Sequence, residues 1–441
     1  MWLPSCLDRF VHPVNVYDCY RLIFYMAMFC GIMPYYVDSS GDRLKLSYCG
    51  LFTAVLRLLF YPAHFVYTSI ERHSMMISFS LTNVSKFTAD LELFNGMVGV
   101  VVVMATSILR GQDVLQLLAI YDGLEQEAFP PVGVNFRQSE ATRKIIRLST
   151  FLFLTLLSFV IYSFIWIFPR VNSYISYWVV VSYFSPNFIV CIVSIVISGL
   201  LIKLRIYLSA LNEVLKNLAH QWDTRSIKAV QKQRSLQCLD SFSMYTIVTK
   251  DPAEIIQESM EIHQLICEAA ATANKYFTYQ LLTIISIAFL IIVFDAYYVL
   301  ETLLGKSKRE SKFKTVEFVT FFSCQMILYL IAIVSIVEGS NRAIKKSEKT
   351  GAIVHSLLNK TKSPEVREKL HQFSMQLMHL KINFTAAGLF NIDRTLYFTI
   401  SGALTTYLII LLQFTSNSPS NESSTGFDCC EAYHNMTNHT V

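Results

Sequence analysis

Seven stretches of the chain are apolar over about the twenty residues an α-helix needs to cross ~30 Å of hydrocarbon. They are residues 48–69, 92–110, 149–169, 177–202, 279–303, 315–338 and 396–415. A bilayer offers no water to backbone amides, so segments of this kind must be helical. The expected class is an all-α polytopic membrane protein with seven transmembrane helices. An eighth stretch, 22–37, has only 16 residues. It suits an interfacial or re-entrant helix, with an eight-span count as the alternative.

Composition agrees. Only 16% of the 441 residues are charged and 53% are hydrophobic, whereas a soluble chain carries about 25% charge. Disorder, a nucleic-acid module and a secreted disulfide scaffold all fit poorly. The ten cysteines include no CxxC pair and no zinc spacing. The histidines form no HExxH, the glycines form no phosphate cradle, and paired intramembrane acids are not evident, so no enzyme, metal site or cofactor is expected. The N-terminus, MWLPSCLDRFVHP, lacks the order of a cleaved signal peptide, leaving insertion to the spans.

Basic residues set the orientation, because Lys and Arg are held on the cytoplasmic side. With the N-terminus inside, segments 1–47, 110–148, 203–278 and 339–395 carry 4, 5, 9 and 10 basic residues, 28 of the 37. Outer segments carry 8, and Arg57 lies within a span. The outer loop 305–314, GKSKRESKFK, runs against the rule. Glycosylation sequons at Asn421, Asn435 and Asn438 in the tail, and at Asn83 in the first outer loop, favour the same orientation. Asn359 and Asn383 also begin sequons but fall inside, where they stay unmodified. The division is a cytoplasmic segment 1–47 with a short interfacial helix, spans one to four in 48–202, and a cytoplasmic helical extension 203–278. Spans five and six follow in 279–338, then a cytoplasmic segment 339–395, span seven at 396–415, and an extracellular tail 416–441.

The cytoplasmic segments read as helices. Asp251 can cap a helix with Pro252 in its first turn, and Ile255, Ile262, Ile266 and Ala269 follow at helical spacing. Segment 364–394 carries a similar stripe in Phe373, Leu377, Leu380 and Phe384. Both are expected to run unbroken into the next span, while 224–250 reads as a loop.

The last span, TLYFTISGALTTYLIILLQF, holds Thr406-Tyr407, five apolar residues, then Gln413-Phe414. This resembles the TYhhhhhQF signature of the insect gustatory receptors, seven-span chemoreceptor channels of inverted topology. Gly388-Leu389-Phe390-Asn391-Ile392-Asp393 resembles their lead-in to the seventh span, and 250–415 is most similar to the gustatory receptor twenty-eight group. The resemblance implies a ligand-gated, non-selective cation channel. It further implies a homotetramer, with other gustatory receptors as alternative partners, in the plasma membrane of sensory neurons. Segment 339–395 would belong to a cytoplasmic anchor and 396–415 would line the pore. Gln413 would line the narrow outer pore, Phe414 would contribute a hydrophobic gate, and Thr406 and Tyr407 would serve packing and gating.

Residue chemistry is compatible with that role. Phe414, Ile410, Tyr407 and Ala403 share a stripe at spacings of four, three and four, and a narrow apolar pore closes by dewetting. Residues 395–420 contain no acid, so permeation would fall to the carbonyl dipoles of Gln413. An interfacial aromatic belt would account for Gln413 and Phe414 equally on position alone.

By the same resemblance a small-molecule stimulus would bind in the outer halves of spans one to six. The candidates are Tyr162, Trp166, Trp178, Tyr183, Phe184, Asn187, Asp295, Tyr297, Tyr298, Phe318, Phe321, Phe322 and Gln325. Aromatics with a few polar atoms suit a pocket, and suit helix packing equally. Asp295 is the most informative, because an ionisable group in a span usually faces a cavity or a partner. Arg57, His64 or a ligand are the candidate partners. Pro62 and Pro186 would free backbone carbonyls in spans one and four. The partners expected are therefore a second copy of the chain, a small molecule and membrane lipid, with no nucleic acid. A secondary transporter or a metabotropic seven-span receptor is the alternative; the first should show inverted repeats, which are not detected, and the second needs the opposite topology.

Overall fold

The structure, a computed structural model, describes residues 15–37, 44–71, 73, 83–136, 138–170, 177–226, 250–304 and 315–417. The basic loop 305–314, most of 224–250 and the tail sequons Asn421, Asn435 and Asn438 lie outside the described residues. Among those described, seven helices are long and apolar enough to cross a membrane. They are α2 (Tyr48–Tyr67), α3 (Asn83–Leu109), α5 (Gln138–Tyr162), α6 (Tyr177–Ser226), α7 (Pro252–Leu303), α8 (Thr315–Lys360) and α10 (Thr395–Asn417).

Three of these helices far exceed what a bilayer requires. Helices α6, α7 and α8 have 50, 52 and 46 residues, or roughly 70–80 Å at 1.5 Å per residue. Each therefore continues well beyond its apolar stretch, and all three project from the same end of the bundle. In α7 the expected start is present: Asp251 accepts from the Ala253 amide at 3.3 Å, and Ile255, Ile262, Ile266 and Ala269 are all buried. Helix α9 (Pro364–His379) folds back against α7 and α8, burying Val366, Leu370 and Phe373.

The expectation of one unbroken helix from 364 into span seven is wrong. Helix α9 stops at His379, and strands β3 (Thr385–Ala386) and β4 (Phe390–Asn391) form a tight hairpin before α10. Gly388 sits at φ +72° and Ala387 at φ 51°, a left-handed turn that a glycine adopts freely and a helix does not contain. Phe384, Ala386 and Ile392 are buried in the hairpin, so the tail of the apolar stripe serves a turn.

The short N-terminal helix is also displaced from its expected place. Helix α1 covers Val16–Phe29, and Tyr35–Val37 pairs with Leu44–Leu46 as an antiparallel hairpin, β1 and β2. The apolar run concealed this because Asp18 and Arg21, ion-paired at 2.7 Å and both buried, begin the helix before the run does. Asn83 is the first residue of α3 rather than part of a loop, and α5 starts eleven residues before its apolar run.

Helix α6 is the centre of the molecule, with residues from Ile189 to Leu218 buried along most of its length. At the end from which the long helices project, Lys203 of α6 is 1% exposed and contacts Glu125 at 2.6 Å. Gln138 and Tyr207 complete the cluster, at 2.6 Å from Lys203 and 2.8 Å from Glu125 respectively. Glu125 lies in a π-helical turn (Leu124–Ala128) that follows α4 (Gly111–Gly123). Cys19 of α1 donates to Gln138 at 3.2 Å. A buried pair of this kind survives only with its remaining lone pairs satisfied, and here it joins α1, α4, α5 and α6.

In the extension of α7, His263 is fully buried and packs edge-on to Phe373 of α9 at 5.8 Å. Burial pushes it down from 6.5 to about 4. An unfolded chain takes up that proton near pH 6.5 and the folded one does not. The His263 contribution is therefore intact above about pH 6.5 and lost as pH falls toward 4, on the order of 3 kcal/mol in total. His263→Leu should flatten the acid side of the thermal-stability profile between those pH values; an unchanged slope would show that His263 is not the group responsible.

Candidate pore helix and transmembrane polar cluster

Helix α10 begins on a clamp. Asp393 caps it, accepting from the Thr395 amide at 2.8 Å and the Thr395 hydroxyl at 2.5 Å. Arg394 reaches Glu338 of α8 through two bonds, Nε at 2.8 Å and Nη2 at 3.1 Å. The hairpin before it is held to α7: the Thr385 amide donates to Asn274 at 2.9 Å, and the Ala387 amide to the Thr278 hydroxyl at 2.9 Å. Residues of α7 and α8 thus fix where the last helix starts.

Beyond its base, α10 packs on one side only. Leu404, Leu408, Leu411 and Leu412 rest against the bundle, and Tyr407 meets Phe289 of α7 edge-on at 5.9 Å. Phe398 is 80% exposed and Phe414 64%, with Tyr407, Ile409, Ile410 and Gln413 also exposed. Thr406 bonds back to the Gly402 carbonyl at 3.0 Å. Phe414 and Ile410 are therefore on an exposed face, with Tyr407 at its margin against α7.

The candidate ligand residues divide into two sets. Tyr183, Asn187, Asp295, Tyr298, Phe318, Phe321, Phe322 and Gln325 converge in the buried interior between α3, α6, α7 and α8. There the Tyr183 hydroxyl donates to Gln325 at 2.8 Å, and Gln325 donates to Glu92 at 2.8 Å. The Tyr329 hydroxyl donates to Asn187 at 2.7 Å, and Thr88 and Tyr298 share a bond at 2.8 Å. Phe318, Phe321, Phe322 and Tyr298 form a continuous ring contact, with centroids 4.5–5.0 Å apart, and Phe184 packs on Tyr183 at 5.2 Å. At the margin, Tyr162 donates to the Glu317 carbonyl at 3.1 Å. Trp166 and Trp178 are 46% and 56% exposed and stay outside the cluster.

Asp295 is fully buried, and neither carboxylate oxygen has a hydrogen-bond partner. Its expected partners are elsewhere: Arg57 donates to the Phe29 carbonyl, and His64 bonds Ser182 at 3.2 Å. The acid that does lie close enough to interact is Glu92 of α3. Intramembrane acids are therefore paired here, contrary to the sequence reading. Glu92 escaped notice because it stands at the edge of its apolar run, and Tyr329 because an isolated Tyr in a span carries no signal. Pro186 does free a carbonyl: lacking an amide, it leaves Ser182 O without its helical donor, and the Tyr61 hydroxyl of α2 takes it at 3.4 Å.

Seven membrane helices, three of them extended at one end, around a buried polar cluster define a multi-pass, all-α membrane protein. The 7tm chemosensory receptor family model matches residues 20–418. Gustatory receptor 28b of Drosophila melanogaster is 56% identical, covering 98% of this chain and 93% of that protein. Gustatory receptor 28a of the same species is 31% identical over 92% and 93%. Among solved structures, the insect olfactory receptor OR5 from Machilis hrabei shares the fold, with TM-score 0.58 at 12% identity over 89% of this chain and 97% of that one. The chain belongs to the 7tm chemosensory receptors and, by its relatives, to the gustatory receptors among them.

The clamp at the base of α10 is open to test by hydrogen exchange. Arg394→Ala should raise deuterium uptake over 385–399 while α7 keeps its protection, and Glu338→Ala on top should add little. Fully additive effects would mean that the two residues act separately.

Proposed function

We propose that this gustatory receptor is a stimulus-gated, non-selective cation channel of the sensory-neuron plasma membrane, assembled as a homotetramer around α10. The observation that carries this reading is the open face of α10. A helix of 23 residues has one leucine-rich side on the bundle and presents Gln413, Phe414 and Ile410 on the other. Four such faces around an axis would form a pore with a Gln ring and an apolar gate and no fixed acid, which suits cations of differing size. The proposed orientation has the N-terminus and the helical extensions in the cytoplasm and the tail 416–441 outside, where Asn421, Asn435 and Asn438, with Asn83, are available for glycosylation.

The stimulus site in this reading is the Glu92–Asp295 cluster with its aromatic wall. The olfactory receptor OR5, which shares the fold, has been solved in complex with eugenol, and a small organic molecule is the class proposed here. A proton-coupled transporter is the second reading, favoured by the paired acids, since such groups mark relays in transporters.

The decisive measurement is stimulus-evoked current in cells lacking added signalling proteins, with surface level read from a C-terminal tag on intact cells. Rapid cation current supports the channel; saturable uptake without current supports the transporter. Gln413→Glu should shift reversal potentials in mixed ions toward divalent permeability, and Phe414→Ala should raise resting current several-fold by wetting the gate. Unchanged selectivity and conductance would remove these residues from the pore. Asp295→Asn should abolish or strongly weaken the response at unchanged surface level, and a wild-type response would remove Asp295 from the stimulus site.

A further inference from the structure

Helices α6 and α8 leave the membrane side by side and in register. The Ser198 hydroxyl donates to Ser335 at 3.5 Å and Lys346 donates to the Ser209 hydroxyl at 3.3 Å, each pair 137 residues apart. Between these contacts Leu201 presses on Gly339, where an added Cβ would come within 3.1 Å of it. The Asn212 side-chain amide donates to the Lys346 carbonyl at 2.9 Å. The same register sets Arg205 level with Arg342. Arg205, Lys216, Arg342, Lys346 and Lys349 therefore gather where the two helices emerge.

Little offsets this charge. Among the described residues no carboxylate pairs with Arg205, Lys216, Lys346 or Lys349. Arg342 shares Glu338 with Arg394, so the cluster adjoins the clamp beneath α10. Burial and the push of Lys349, Lys216 and Arg205 hold Lys346 below the usual lysine value, against a smaller pull from Glu213. Like charges held this close call for an anion among them.

Depth in the membrane indicates the kind of anion. Arg205 and Arg342 stand three and four residues past the apolar stretches 177–202 and 315–338, about 5 and 6 Å along the axis. That is within the polar layer of a bilayer, roughly 5–8 Å thick on each side. Lys346, Lys349 and Lys216 stand farther out, and their side chains lean back toward the membrane because a helical Cα–Cβ bond tilts toward the N-terminus. A headgroup that carries several phosphates and rises out of the lipid plane spans both levels. In the proposed orientation this is the cytoplasmic surface, where acidic lipids are concentrated.

We propose that this cluster binds a lipid with a multiply phosphorylated headgroup, one phosphate between Arg205 and Arg342 and the next toward Lys346, Lys216 and Lys349. Arginine grips phosphate oxygens with paired donors, and lysine adds point charge. The site is separate from the Glu92–Asp295 cluster, which lies among the spans.

The test uses the full-length receptor in vesicles of phosphatidylcholine with either phosphatidylinositol bisphosphate or phosphatidylserine at matched total charge. The protein is extracted into mild detergent and freed of loose lipid, and retained lipid is quantified by mass spectrometry. Wild type should retain the bisphosphate lipid and little phosphatidylserine. Arg205→Gln and Arg342→Gln should each lower retention about fivefold, the size expected for one basic residue near a headgroup. Arg342 is exposed, so its variant reads the loss of charge even where Arg205→Gln disturbs packing. Lys362→Gln, at an exposed lysine outside the cluster, should change nothing. Equal retention of both lipids by wild type overturns the proposal, as does retention unchanged in Arg342→Gln or lowered as much in Lys362→Gln. So does thermal stabilisation by micromolar inositol trisphosphate without retention of the lipid, which would assign the cluster to a soluble polyphosphate.

Discussion

Hydrocarbon cannot hydrogen-bond a backbone amide, and the architecture follows from the ways this chain meets that requirement. Each apolar run closes its own ladder as a helix. Where the ladder is interrupted, a side chain from a neighbour completes it, as the Tyr61 hydroxyl does at the Ser182 carbonyl freed by Pro186. Hydrocarbon also supplies no hydrophobic force between helices, so association rests on fit and on polar contacts. Gly99 of α3 shows the first, since a Cβ there would collide with Ile287 of α7. Tyr183, Gln325 and Glu92, bonded in series across α6, α8 and α3, show the second.

Outside the bilayer the same helices obey different rules. The extensions of α7 and α8 bury apolar stripes against α9, as soluble helices do, and carry ordinary ionic contacts on their open faces. The two regimes meet at Lys203, which is buried with Glu125, Gln138 and Tyr207 where α6 leaves its apolar stretch. The hydration lost there is offset by hydrogen bonds, and the cluster ties α1, α4, α5 and α6 together.

The spans were legible because their signal is length and apolarity, which neighbours cannot mask. Element starts were less so: α1 opens on Asp18 and Arg21 and α3 on polar turns, so an apolar criterion places both too late. The break at 380–394 was readable in Gly388, yet the stripe through Phe373 and Phe384 concealed it, since a buried hairpin needs apolar residues as much as a helix does. Of the candidate ligand residues, those on α7 and α8 converge with Tyr183 and Asn187 of α6, whereas Trp178 of the same helix stays outside. Partner choice was illegible. Asp295 lies near Glu92 rather than Arg57 or His64 because α3, which carries Glu92, packs on α7 while α2 packs on α3, and no spacing within one helix reveals which neighbour lies across from it.

Helices α7 and α8 connect the two parts of the candidate site. Near one end they carry Asp295 and Tyr298, and Phe318, Phe322 and Gln325, in the buried cluster. Nearer the other they carry Asn274 and Thr278, and Glu338, the residues that hold the hairpin and Arg394 beneath α10. Both are unbroken over that distance, so a displacement of one against the other at the cluster reaches the base of α10 with little loss. In the channel reading this contiguity is a spatial warrant for coupling rather than a measured energy. It also accounts for the division of polar groups in the chain. Buried acids lie where a stimulus would be sensed, an ion-paired clamp lies where the movement would be delivered, and the helix that ions would pass carries only a neutral Gln413 and an apolar stripe.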